Sequence, residues 1–370
     1  MDKTLLGSLS LVASPGNYRS IVAKWGLVVL GVVALLAGVG LALLLEPEPD
    51  PLTATLATSS TRTGTARLET PEAGPRDVQV YSGHGAWVDV FDFSPAYAGE
   101  NPPIDASTVS DMAAHGVDTV YLQAARLDDR TPNGIEDTWL LAEWLLRADA
   151  ADVDVVGWYL PEWSADSADL DRLLAVSDFD VMGRRFASVG VDIEWTADDL
   201  EPEERSARLV ALSQQLRAAT DGDPLGAIVL PPVLIEVVND QFWPEFPWAG
   251  IAPYYDVWLP MSYWSFRSDD SPYKNGYTYN FESIQRLRTN LGNPFATVHA
   301  IGGIGAVDDG AAVADGEPLA SIGDLDAFAQ SLIDANAVGG SIYDWNTMSD
   351  AARDQMAALF ESGVAAPLDR

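Results

Sequence analysis

The residues of this chain best suited to chemistry are Asp192 and Glu194, within the stretch Ser188-Val189-Gly190-Val191-Asp192-Ile193-Glu194-Trp195. On an extended strand successive side chains point to opposite sides, so Val191, Ile193 and Trp195 share one face and Asp192 and Glu194 the other. The apolar face can pack beneath helices while the acidic face enters a confined space. Two carboxylates held there raise each other's proton affinity. Burying such a pair is costly unless it is paired or put to use. Used, it is a proton donor with a partner, the equipment of general acid catalysis. Unused, it is a structural pair that bonds an arginine or backbone amides.

Elements able to position this pair run through the chain from residue 81. Strand-like runs are predicted at 86–93, 117–124, 153–160, 189–195, 227–230, 256–263, 295–301 and 340–345. Amphipathic helical stretches alternate with them, at 104–115, 137–150, 169–185, 203–219, 281–291, 323–337 and 350–360. Asp105 or Ser107 caps the first of these helices and Gly116 stops it. Strands alternating with helices imply parallel crossover units. About eight units over residues 81–362 match an α/β fold of the (β/α)8 TIM-barrel class. An open doubly wound sheet would carry a glycine cluster after its first strand; this chain has Phe93-Ser94-Pro95-Ala96-Tyr97 there.

Barrel function collects at the C-terminal ends of the strands. Those ends carry Asp89 and Asp92, Gln123, Tyr159, the Asp192–Glu194 pair, then Met261, Tyr263 and Trp264, with His299 on strand seven and Asp344 and Trp345 on strand eight. Asp89 and Asp92 are oddly spaced, so at most one of them points into the barrel from a regular strand. His299 reads more simply as a hydrogen-bonded barrel residue than as a base. Acids cleave glycosidic bonds and aromatic faces stack on sugars, so the expected substrate is a glycan. Nothing in the pattern calls for a metal or an organic cofactor.

Composition sets the surroundings. The formal net charge of −34 over 370 residues excludes nucleic acid as a natural partner. It also suits high ionic strength, where self-repulsion is screened. There is no cysteine, hence no disulfide and no thiolate metal site. Residues 25–45 form an uncharged apolar run of membrane-spanning length, preceded by Lys3, Arg19 and Lys24 and followed by Glu46, Glu48 and Asp50. The expectation is a single-pass anchor in the cell membrane, with a cleaved secretory signal as the rival reading. Residues 1–24 would be cytoplasmic, 46–80 would form a flexible Pro/Thr-rich linker, and the barrel would be extracytoplasmic.

Asp192-Ile193-Glu194 on the fourth strand resembles the Asp-x-Glu core of the chitinase-like, family-eighteen glycoside hydrolases. Met261-Ser262-Tyr263 is similar to that family's Met-x-Tyr, and Trp345 to its tryptophan floor. The resemblance implies a barrel enzyme in which Glu194 is the proton donor. Asp192 would orient an N-acetyl group that attacks the sugar's own anomeric carbon, with Tyr263 supporting it and Trp345 lying beneath the ring. The chain departs from the pattern in three places. Ala187 and Gly190 stand where the family has aspartates seven and four residues before the glutamate, Trp264 follows Met-x-Tyr in place of an aspartate, and Gly157-Trp158-Tyr159-Leu160 replaces Ser-x-Gly-Gly. A barrel that binds glycan without cleaving it fits these departures. A surface assembly protein using the aromatic segment 243–279 as its interface is a further reading.

Overall fold

The computed structural model describes residues 76–131, 133–194, 200–220, 222–304 and 321–364. The expected anchor at 25–45, most of the expected linker and Trp195 lie outside the described residues. Among those described, no helix is long and apolar enough to cross a membrane.

Eight parallel strands close into a barrel. They are β1 (Gly83–Val88), β2 (Thr119–Ala125), β3 (Asp154–Tyr159), β4 (Ser188–Ile193), β5 (Leu225–Val229), β6 (Val257–Ser262), β7 (Thr297–Ile304) and β8 (Gly339–Tyr343). Each pairs with its sequence neighbour, and β1 also pairs with β8, which closes the ring. The outer layer contains α1 (Val109–Ala114), α2 (Thr138–Ala151), α3 (Ala168–Asp178), α4 (Pro202–Ala219), α5 (Gly276–Asn290), α6 (Ile322–Ala335) and α7 (Asp350–Glu361).

Local chemistry moves several boundaries from their predicted places. Strand β1 ends at Val88 rather than at residue 93. Asp89 then caps a short helical turn, Val90–Phe93, accepting from Phe91 N while its own N–H donates to Asp92. Residues three apart on a helical turn come to the same side, which is how Asp89 and Asp92 meet despite their odd spacing. The helix expected at 169–185 stops at Asp178. Asp180–Val181 and Arg184–Arg185 pair as a small ribbon, turning through Met182 and Gly183 at positive φ. Helix α5 begins at Gly276, ahead of the predicted 281, because Asn275 supplies a side-chain cap to Thr278 N.

The folded unit also begins earlier than composition suggests. Residues 76–80, assigned to the linker by composition, are bound to the barrel. Arg76 pairs with Asp256 at 3.1 Å, Val80 is buried, and Thr119 Oγ1 donates to Val80 O.

Aromatic and polar side chains fill much of the barrel interior, beside aliphatic ones such as Ile228 and Met261. Trp87 stacks on Tyr121 with ring centroids 4.4 Å apart and meets Trp158 edge-on at 6.0 Å. Trp87 Nε1 donates to Ser341 Oγ, Ser341 Oγ lies 2.9 Å from His299 Nε2, and His299 Nδ1 lies 2.9 Å from Tyr81 O. Glycines on the inner face make room for these rings. A Cβ on Gly85 would lie 2.6 Å from Tyr121, and one on Gly339 2.4 Å from His299.

Candidate active site

Alternation along β4 places Gly190 and Asp192 inside the barrel and Val189, Val191 and Ile193 outside, as the sequence pattern requires. Asp192 is buried, and its Oδ1 has no hydrogen-bond partner. Glu194 follows at the strand end, partly accessible from the mouth. Burial pushes the Asp192 carboxyl well above the carboxylate range, and the Glu194 charge adds to the shift. Burial likewise lifts Glu194 to about 7. The two groups are poised so that a proton resides on the pair near neutrality.

Tyr263 comes from the chain just beyond β6. Its phenol is raised, first by burial and then by the charges of Glu194, Asp192 and Asp344. Its hydroxyl makes no hydrogen bond among the described residues. Met261 shares the inward parity of Tyr263 and is buried below it.

A second acid set stands where β1 and β8 meet. Carboxylate oxygens of Asp89, Asp92 and Asp344 lie within 4.8 Å of one another. An all-oxygen set of this kind would suit a hard cation, yet protein donors already engage it. Asp89 accepts from Phe91 N and from Tyr343 Oη at 2.7 Å, Asp92 from Asp89 N and Asn346 Nδ2, and Asp344 from Thr347 N. Burial first, then the charges of Asp89 and Asp344, lift Asp92 to about 9, so a proton relieves the repulsion at neutral pH.

The other residues singled out by sequence fall elsewhere. Trp345 does not floor the mouth. Strand β8 ends at Tyr343, and the following turn swings the indole out between α1 and α7. There the Arg353 guanidinium lies 4.6 Å over its ring and His115 meets it edge-on at 5.7 Å. Tyr343 is the inward residue, its ring 5.9 Å from Tyr263 and 6.2 Å from Trp87. Trp264 is also outside the wall, packed on Phe328 and over Gly302. Tyr159 has outward parity and donates to Asp169 of α3 at 2.6 Å, a strand-to-helix tie. Gln123 is buried and accepts from Val90 N, bracing the turn after β1. His299 is fully buried within the barrel, held near 4 by desolvation and so neutral. A cavity of about 200 Å³ between α3 and α4, lined by Trp163, Leu170, Arg208 and Gln215 among others, contains none of the inward acids of the mouth.

Sequence reasoning passed over Tyr343 as the inward ring, although its parity with Gly339 and Ser341 was readable once the strand's end was known. The aromatic segment 243–279 does not form an exposed patch, since Trp243, Phe246, Trp248, Trp264 and Tyr279 are all buried. That removes the main support for an assembly interface.

No protein-family model matches the sequence, and no curated relative matches it. The fold is similar to solved structures at low identity. The C-terminal domain of a putative chitinase from Desulfitobacterium hafniense DCB-2 superposes with a TM-score of 0.50 at 11% identity, covering 76% of this chain and 99% of that one. The spore cortex-lytic enzyme SleL of Bacillus cereus gives 0.51 at 9%, covering 75% and 74%. The endo-1,4-beta-mannanase of Rhizomucor miehei gives 0.53 at 9%, covering 76% and 95%. A mannanase at comparable similarity shows that the likeness is one of barrel architecture.

Proposed function

We propose that this barrel is a glycoside hydrolase acting on a polysaccharide or cell-wall glycan, with Glu194 as general acid and Asp192 as its partner. The observation that carries the reading is the Asp192–Glu194 pair at the mouth. One acid is buried with an unpartnered oxygen, the other reaches the opening and holds its proton up to about 7. A carboxyl that is neutral at working pH can hand its proton to a leaving glycosidic oxygen. As Glu194 loses that proton, its new charge tightens the hold of Asp192 on its own, which keeps the pair from becoming doubly ionised. Tyr263 offers a hydroxyl beside both, and Tyr343 offers a ring. The glycan-acting names of the structurally similar proteins support the same substrate class.

A second reading, a barrel that binds glycan without turnover, is favoured by one observation. A Cβ on Gly190 would lie 3.2 Å from Ile228 and 3.3 Å from Trp158. Apolar packing thus fills the place where the resembling family carries an acid. The deciding experiment is release of reducing ends from a glycan panel, chitin-type oligomers included, by wild type and Glu194→Gln. Turnover lost in the variant supports the hydrolase; binding without turnover supports the second reading. The proposal extends to location, with residues 25–45 anchoring the chain and the barrel outside the cell. Recovery of the full chain from washed membranes, with the barrel digestible by protease added to intact cells, tests that placement.

A further inference from the structure

Two tyrosines stand side by side at the mouth, and their hydroxyls are treated differently. Tyr263 keeps its hydroxyl unengaged among the described residues. Tyr343 donates its own to Asp89 Oδ2 at 2.7 Å. A phenol bonded to a carboxylate has its one proton committed, so Tyr343 has none to donate to a ligand and offers its ring face instead. Its ring sits between Trp87, at 6.2 Å, and Tyr263, at 5.9 Å.

The acceptor is itself fixed in place. Asp89 Oδ1 accepts from Phe91 N at 2.7 Å, and Asp89 N donates to Asp92 Oδ2 at 3.1 Å. The turn that Asp89 opens is braced on one side by Gln123, which accepts from Val90 N, and on the other by Asn346, which donates to Asp92 at 3.0 Å. The loop after β1 is therefore fastened to the end of β8 and the turn that follows it through two side-chain bonds, Tyr343 to Asp89 and Asn346 to Asp92. A buried phenol takes a partner in any case, but here the partner is itself held by the turn after β1, so the bond also fixes the angle of the ring. A ring against which a sugar must lie at one angle needs that fixing, because a small misplacement of a substrate is expensive in rate.

We infer that Asp89 is a positioning residue, holding Tyr343 so that its face floors the sugar site while Tyr263 supplies the hydroxyl. This rests on the glycan reading above and adds to it a tethered tyrosine floor, in the place where the sequence pattern suggested Trp345.

The experiment separates the tether from the helix cap that Asp89 also provides. Serine caps a helix as well as aspartate does but is too short to reach the Tyr343 hydroxyl. Asp89→Ser, Tyr343→Phe and the double variant are assayed on the glycan that wild type turns over, beside Glu194→Gln and thermal melts. Each single variant is expected to lower kcat/KM about tenfold, the scale of a hydrogen bond to a charged group. The double variant is expected to be no worse than either single one, with melting close to wild type throughout. Wild-type kinetics in Asp89→Ser, or losses that multiply in the double variant, overturn the inference and leave the hydrolase reading standing. Turnover that survives Glu194→Gln overturns the assignment of Glu194, while the double-variant cycle still reports on the tether. A wild type that neither cleaves nor binds any glycan overturns both.

Discussion

The perturbation with the richest consequence is Glu194→Gln, because it should alter stability and activity in opposite directions. Burial raises Glu194 from the ordinary 4.5 to about 7. A group that binds its proton more tightly when folded makes the native state the more protonated one, so stability falls as pH rises between the two values. At pH 4 the carboxyl is neutral in both states and contributes no penalty. Above pH 7 it is ionised in both, and the whole cost of holding the charge in the mouth applies. At about 1.4 kcal/mol per pH unit that cost is roughly 3 kcal/mol. Glutamine is neutral throughout and escapes it, and also relieves Asp192 of a neighbouring charge. The variant should therefore melt near wild type at pH 4 and roughly 6 °C above it at pH 8, while its turnover falls by about 10²–10⁴. Thermal melts at pH steps from 4 to 8, paired with reducing-end assays, read both. A melting difference that does not grow with pH would refute the claim that Glu194 is held protonated by its surroundings. In wild type kcat/KM should decline on the alkaline side as pH rises past about 7, where Glu194 loses the proton it must donate.

Three further outcomes follow from the same geometry. Tyr263→Phe, which removes a hydroxyl with no bond to lose, should leave melting unchanged and lower kcat about tenfold or more; a kinetic parameter set equal to wild type would take Tyr263 out of the site. Trp345→Phe should lower stability by about 1–3 kcal/mol through lost packing against Arg353 and His115 and leave KM alone, as measured by denaturant melts and initial rates. Gly190→Asp, which restores an acid of the resembling family, should destabilise by about 1–3 kcal/mol because Ile228 and Trp158 occupy its space. A gain of activity in Gly190→Asp would show that the mouth is less filled than its packing indicates.

The barrel itself was legible from local pattern. Each strand and helix carries its own period, and caps such as Asp137 at α2 and turn glycines such as Gly116 mark the ends within a few residues. The facing of Asp192 was legible too, since alternation needs only the strand. The residue next after a strand's end keeps the strand's direction, as Glu194 and Tyr263 do, but the second does not. Trp345 and Trp264 both follow strands that stop two residues earlier, at Tyr343 and Ser262, so their indoles turn outward into the helical layer. Tyr159 differs from its expected place by parity: it lies on the outer face of β3 with Gly157, while Trp158 points inward. The capping of the turn at Asp89 was the least visible feature, because an Asp-x-x-Asp pair reads the same on a strand, in a loop or at a helix start.

The sequence alone determined the alternation that makes a barrel, the strongly acidic charge balance, and the presence of an acid pair with an aromatic company. These depend on periodicity and composition, which are properties of the chain. Only the tertiary structure decided which aromatic ring faces the mouth, that His299 belongs to a neutral network beneath it, and that Asp89, Asp92 and Asp344 share one corner. Those facts depend on where strands end and which loops meet across the closure of β1 on β8. That closure joins residues about 250 positions apart, and no local period records it.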